Sequence, residues 1–147
     1  MYRSIVVGTD GSDTAVRAVG AAAEIARGCR ATLHVVSAYR PAPHVMDGAA
    51  MAPLGAAAVQ AASDLAEEAS SLLGGLAADL QGAGIEVETH AWPGEPAEAL
   101  LAVAAGFGAD LIVVGSKGMA GARRLLGSVP NSVSHRADTS VLIVKTA

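Results

Sequence analysis

Short unbroken apolar runs alternate along this chain with longer stretches in which apolar residues return every three or four positions. Ile5, Val6 and Val7 sit in a run over residues 4–9, residues 32–37 read TLHVVS, and residues 111–114 read LIVV. Runs of this length without polar interruption predict strands covered on both faces. Residues 85–92 differ: Val87, Thr89 and Ala91 alternate with Glu86, Glu88 and His90, the pattern of an edge strand with one face in water. Residues 141–144 form a fifth apolar run, close to the last residue.

Helical spacing fills the intervals. Ala15, Val19, Ala22 and Ala26 follow Ser12, an N-cap residue, and Gly28 is placed to end that helix. Leu65, Ala69, Leu72, Leu76 and Leu80 form one stripe over residues 56–80, interrupted by Gly74 and Gly75 at a cost of about 1 kcal/mol each. Pro96 opens a third helix carrying Ala97, Leu100, Leu101 and Ala104. Ser128 is read as the cap of a short fourth helix with Val129, Val133 and Ala137. Residues 39–54 are left as a Pro-, Met- and Ala-rich loop, whose Met46 and Met51 either cover a ligand or lie exposed. The order β-α-β-α-β-α-β-α-β predicts a parallel sheet with helices on both faces and right-handed crossovers. One domain over residues 1–147 is expected.

Composition narrows the picture. Apolar residues are 52% of the chain but aromatics only 3%, so the core must be built from Ala, Val, Leu and Ile. No apolar run approaches the ~18 residues that span a bilayer, and the start, MYRSIVVGTDGS, lacks a signal-peptide pattern. The single cysteine, Cys29, cannot form an internal disulfide, which fits a cytoplasmic setting. A net charge of -4 argues against general nucleic-acid binding. The charge is uneven: from Gly115 onward Lys117, Arg123, Arg124, Arg136 and Lys145 outweigh the single acid, Asp138.

That basic segment contains the most specific pattern in the chain, LIVVGSKGMAGARRLLGSV. A buried strand ends in Gly115, Gly118 follows, and Gly127-Ser128 precedes a helix. Glycines past a strand let main-chain N–H groups approach an anion, and a helix start adds more. The spacing, Gly-x2-Gly-x8-Gly-Ser, is not that of a Walker A loop. Ligands of open α/β sheets bind beyond the carboxyl ends of strands, where strand order reverses. The loop Gly8-Thr9-Asp10-Gly11-Ser12 is the other polar strand end. If strands one and four are neighbours, Asp10 faces the glycine loop, where it accepts hydrogen bonds from a ribose or base or sits beside Mg2+; otherwise it is a turn residue bonding its own backbone. His34 is expected to pack within its strand rather than to bind a ligand. No catalytic triad, no nucleophile elbow and no His/Cys/Asp cluster with metal-site spacing is visible.

These residues resemble the universal stress protein family over nearly the whole length. IVVGTDGSDTAVRAV is similar to its first strand and helix, LHVVSAY to its second strand, and GEPAEALLAVAAGFGADLIVVGSKG with LLGSVPNSVSHRADTSVLIVK to its C-terminal half. The resemblance implies a Rossmann-like fold of the adenine nucleotide alpha hydrolase type, with five parallel strands in the order 3-2-1-4-5. Its nucleotide-binding branch carries Gly-x2-Gly-x9-Gly-Ser/Thr. By position it implies nucleotide contacts at Thr9, Asp10, Val35 (through its backbone, to adenine), Gly115, Gly118, Gly127, Ser128 and Val129. It implies ATP as ligand, with cyclic AMP or AMP as the alternative, Mg2+ as a companion, and a homodimer formed through the last strand. The implied role is a stress-response sensor or regulator; no catalytic residue is assigned, and any ATP hydrolysis or autophosphorylation would be slow. A non-binding interaction protein with an empty crevice is the remaining reading. One departure stands out: residues 119–126, MAGARRLL, are eight where the pattern has nine.

Overall fold

A computed structural model describes residues 1–40, 52–117 and 127–146. The elements are β1 (Ser4–Gly8), α1 (Asp13–Cys29), β2 (Thr32–Tyr39), α2 (Ala52–Gly82), β3 (Val87–Pro93), α3 (Pro96–Gly106), β4 (Leu111–Gly115), α4 (Ser128–Arg136) and β5 (Ser140–Val144). The strands form one sheet in the order β3-β2-β1-β4-β5, and every pairing is parallel. β1 lies between β2 and β4, with Val7 in register with both Val35 and Val113.

The two-residue period of a strand divides the core in two. Ile5, Val7, Leu33, Val35, Leu111 and Val113 point to the α1 and α2 side, where Ala18, Val19, Ala22, Ala26 and Leu73 meet them. Val6, Val36, Ile112 and Val114 point the other way, against Leu100, Val103 and Val133 of α3 and α4. Ile5–Val7 of β1 and Leu111–Val114 of β4 are apolar without interruption because both faces are covered, whereas β2 buries His34 among its apolar residues. Each fully buried Val or Ile contributes roughly 1.5–3 kcal/mol, so this sandwich carries most of the fold's stability. Among the described residues no helix is long and apolar enough to cross a membrane.

Several expected boundaries move. α1 runs through Gly28 to Cys29, and the left-handed cap is Arg30 at φ 56°. Its N–H bonds back to Ala26 and Arg27, and Ala31 also donates to Ala26, so the helix end is satisfied without glycine. α2 starts at Ala52, inside the expected loop, and continues through Gly74 and Gly75 to Gly82. Its buried seam is Ala69 and Leu73, flanked by the half-buried Leu65, Leu76 and Leu80; Leu72 is turned outward. The face of β3 carrying Glu88 and His90 is not simply open to water, since the Phe107 ring covers His90. Met46, Met51, Gly118, Arg123 and Arg124 lie outside the described residues.

Candidate functional site

The strand order reverses between β1 and β4: from β1 the chain runs outward through β2 to β3 on one side, then crosses back to β4 and β5 on the other. Loops leaving adjacent carboxyl ends at such a point open a crevice. The first loop is held by its own polar groups. Thr9 N–H donates to the Val36 carbonyl at 2.8 Å, and Thr9 Oγ1 accepts from Gly11 N–H at 3.2 Å. Asp10 Oδ1 accepts from Ser12 N–H at 2.9 Å. Gly11 takes φ 80°, a conformation that disfavours side chains. Ser12 then caps α1, its Oγ accepting from Ala15 N–H at 3.3 Å. Asp10 is therefore a turn residue, as one of its two expected readings required, yet its exposed carboxylate still stands at the crevice rim. Leu72 of α2 lies against Gly11, so this rim is backed by apolar surface.

The second wall begins at Gly115. Ser116 N–H donates to the Val144 carbonyl at 2.7 Å, and the Ser116 carbonyl accepts from Gly127 N–H at 3.2 Å. The start of α4 is thereby tied to the end of β4 across the intervening loop. Sequence reasoning missed the residue that organises this wall, Thr146. Its N–H donates to Ser116 Oγ at 3.1 Å, its Oγ1 accepts from Lys117 N–H at 3.4 Å, and its carbonyl accepts from the Arg17 guanidinium at 3.2 Å. Thr146 is buried. A Cβ at position 115 would stand 3.1 Å from its Cγ2, so glycine there admits the threonine as well as a ligand. Nothing in the spacing of the chain marks Thr146. Only the β4–β5 pairing brings it to the glycine loop.

α4 corrects the expected cap. Gly127 is the N-cap, with no side-chain cap bond, and Ser128 is the first helical residue. The first N–H groups of a helix have no carbonyl within it to bond, and among the described residues those of Ser128 and Val129 have no backbone acceptor, at the positive end of the helix dipole. Pro130 has no N–H and is buried, which anchors the turn. The Ser128 hydroxyl is exposed and released from capping. Val35, by contrast, is completely buried: its side chain lies in the α1/α2 core and its main chain sits within the sheet, in register with Val7 of β1 and Thr89 of β3. Of the residues singled out from sequence, Thr9 and Asp10 stand on one wall and Gly115, Gly127, Ser128 and Val129 on the other. Gly118 lies outside the described residues.

A doubly wound parallel sheet with polar loops at its reversal point and a helix start without a side-chain cap behind them is an arrangement of the α/β class suited to an anionic ligand. The chain belongs to the universal stress protein family, whose profile matches residues 1–145. It is 40% identical over 152 residues to universal stress protein Rv1636 of Mycobacterium tuberculosis, covering 99% of this chain and 97% of that one. Among solved structures, it is similar to a universal stress protein in complex with cAMP, at 38% identity and a TM-score of 0.66, covering 99% of this chain and 98% of that chain. It is also similar to a universal stress protein from Archaeoglobus fulgidus in complex with dAMP, at 26% identity and a TM-score of 0.64, covering 98% of each chain.

Proposed function

We propose that this chain binds an adenine nucleotide in the crevice between the β1 and β4 loops, as a stress-response sensor or regulator with no catalytic residue of its own. The observation that carries the reading is the uncapped start of α4, tethered to the end of β4 by the Gly127–Ser116 hydrogen bond. Ser128 N–H, Val129 N–H and the Ser128 hydroxyl hold the phosphate, with Gly115 and Gly118 giving the chain room to approach. The Asp10 carboxylate meets the ribose.

Cyclic AMP is the first ligand of this proposal. Two observations favour it: the glycine loop is one residue short, and the solved relatives named above hold adenosine nucleotides with one phosphate. A residue spans up to ~3.5 Å of extended chain, comparable to a hydrogen bond, so a shorter loop removes donors first from the far end of a triphosphate. ATP is the second reading, favoured by the basic residues Lys117, Arg123 and Arg124 around the loop; Mg2+ enters only with its phosphate chain, beside Asp10. Calorimetric titration with cyclic AMP, AMP and ATP, with and without Mg2+, tests the order. Cyclic AMP binding at least tenfold tighter than ATP, about 1.4 kcal/mol, is expected. ATP binding tightest reverses the order, and no binding by any of the three removes the crevice as a nucleotide site. The proposed setting is the cytoplasm, and the proposed assembly a homodimer through β5.

A further inference from the structure

A second cluster of polar side chains lies on the sheet face opposite α1 and α2, across β2 and β3 and away from the β1–β4 reversal point. The parallel register sets His34 of β2 opposite Glu88 of β3, and Val36 opposite His90. Side chains at matched and alternate positions share a face, so His34, Glu88 and His90 converge although 54 residues separate the two segments. Their nearest ligand atoms all lie within 4.8 Å of one another. His34 Nδ1 is 3.0 Å from His90 Nε2 and 3.6 Å from Glu88 Oε2. His34 is almost completely buried, whereas Glu88 is half exposed. Phe107, just past α3, stacks its ring 4.8 Å from His34 and 4.7 Å from His90.

We propose that His34, His90 and Glu88 form a divalent transition-metal site, with Zn2+ the ion it fits best. Two imidazoles and one carboxylate are a nitrogen-rich set suited to zinc and unsuited to Mg2+ or Ca2+. Zinc takes nitrogen and carboxylate ligands at about 2.0–2.2 Å in a tetrahedron, which separates neighbouring ligand atoms by roughly 3.3 Å. The two separations from His34, 3.0 and 3.6 Å, bracket that value; the His90–Glu88 pair, within 4.8 Å, closes by a rotation of the half-exposed Glu88 side chain. The two rings now share one proton in a hydrogen bond. Binding requires a lone pair on both facing nitrogens, so one ring moves that proton to its other nitrogen and the net charge of the pair is unchanged. Burial holds both imidazoles below their ordinary range; the neighbouring His34 adds to this at His90, while Glu88 opposes it at both and Glu86 at His34. Phe107 closes the apolar side, and the half-exposed Glu88 marks the entry path. Three protein ligands leave the fourth position for water or a partner's ligand.

The test titrates the full chain with zinc chloride, calorimetrically and with Co2+ as an optical reporter. One ion per chain is expected, with tetrahedral Co2+ bands. His90→Asn and Glu88→Gln each should weaken zinc at least tenfold; both positions are accessible enough to keep the fold, checked by circular dichroism. Cys29→Ser and His135→Asn should leave zinc affinity unchanged. Nitrogen-15 shifts of the two rings should show the tautomer change on zinc addition. Absence of zinc binding, or equal binding by His90→Asn, Glu88→Gln and the parent, overturns the proposal and leaves a hydrogen-bonded histidine pair. Zinc affinity that falls in Cys29→Ser or His135→Asn instead places the ion elsewhere and overturns it equally. The outcome is independent of nucleotide binding, since none of the three residues lines the crevice.

Discussion

Ser128 shows how a one-position shift changes the work of a residue. As an N-cap it would spend its hydroxyl on the helix; as the first helical residue, with Gly127 as cap, it keeps the hydroxyl for a ligand. The two placements predict different consequences for Ser128→Ala. Loss of a cap costs about 1 kcal/mol of stability. Loss of a ligand bond leaves stability alone and weakens the nucleotide by about 1 kcal/mol, near fivefold. We expect an unchanged melting temperature and a roughly fivefold weaker dissociation constant; the reverse pattern would return Ser128 to the cap. Thr146 makes the complementary case. Thr146→Val keeps the shape against Gly115 but deprives Lys117 N–H of its acceptor, and urea unfolding should show a loss of about 0.5–1 kcal/mol. The turn formed by Asp10 and Gly11 was legible in the sequence because turn chemistry leaves a local mark. Thr146 and the His34–His90 pair were not, since their partners are fixed by strand register and no local pattern encodes them.

At the scale of elements, periodicity found the five strands and four helices of the described residues, and failed where several physical terms compete at a boundary. Gly28 was expected to stop α1, but a helix end needs satisfied carbonyls and a left-handed residue, and Arg30 supplies both. Gly74 and Gly75 were expected to interrupt the stripe of α2 at a cost of about 1 kcal/mol each; the packing of Leu73, Leu76 and Leu80 against the sheet carries the helix through them. The stripe was misread by one residue because Leu72 and Leu73 are adjacent and either fits a helical face. α2 thus retains an avoidable cost. A Cβ at position 74 or 75 would meet nothing within 4 Å, and alanine exceeds glycine in a helix interior by up to about 1 kcal/mol. Gly74→Ala and Gly75→Ala should each raise stability by about 0.5–1 kcal/mol, additively and without effect on ligand affinity, as measured by chemical denaturation. A loss of stability in either variant would mean that α2 needs a pliable segment there.

For the whole molecule the strand order decides what is left open. Placing β1 in the centre buries the most apolar strands and leaves β3 and β5 as edges. β3 is guarded by Glu86 and Glu88. β5, sequence SVLIV, has no charge within it, and Leu142 is exposed. An apolar edge of unpaired main-chain groups invites another strand, and a two-fold partner offering its own β5 closes the pair without leaving a further edge. The direction of the free groups follows from one bond. The Val144 carbonyl accepts from Ser116 N–H of β4, and successive residues of a parallel strand point alternately to either side. Val144 and Leu142 therefore bond inward, and Ile143 and Val141 present N–H and C=O outward. Ile143→Pro removes an outward donor and no bond to β4, so it should dissociate the homodimer while leaving the sheet and its melting behaviour near those of an isolated protomer. Leu142→Pro, which breaks an inward bond, should unfold β5 instead. Sedimentation velocity at micromolar concentration distinguishes them: a parent that is already monomeric, or an Ile143→Pro variant that stays dimeric, would exclude β5 as the interface.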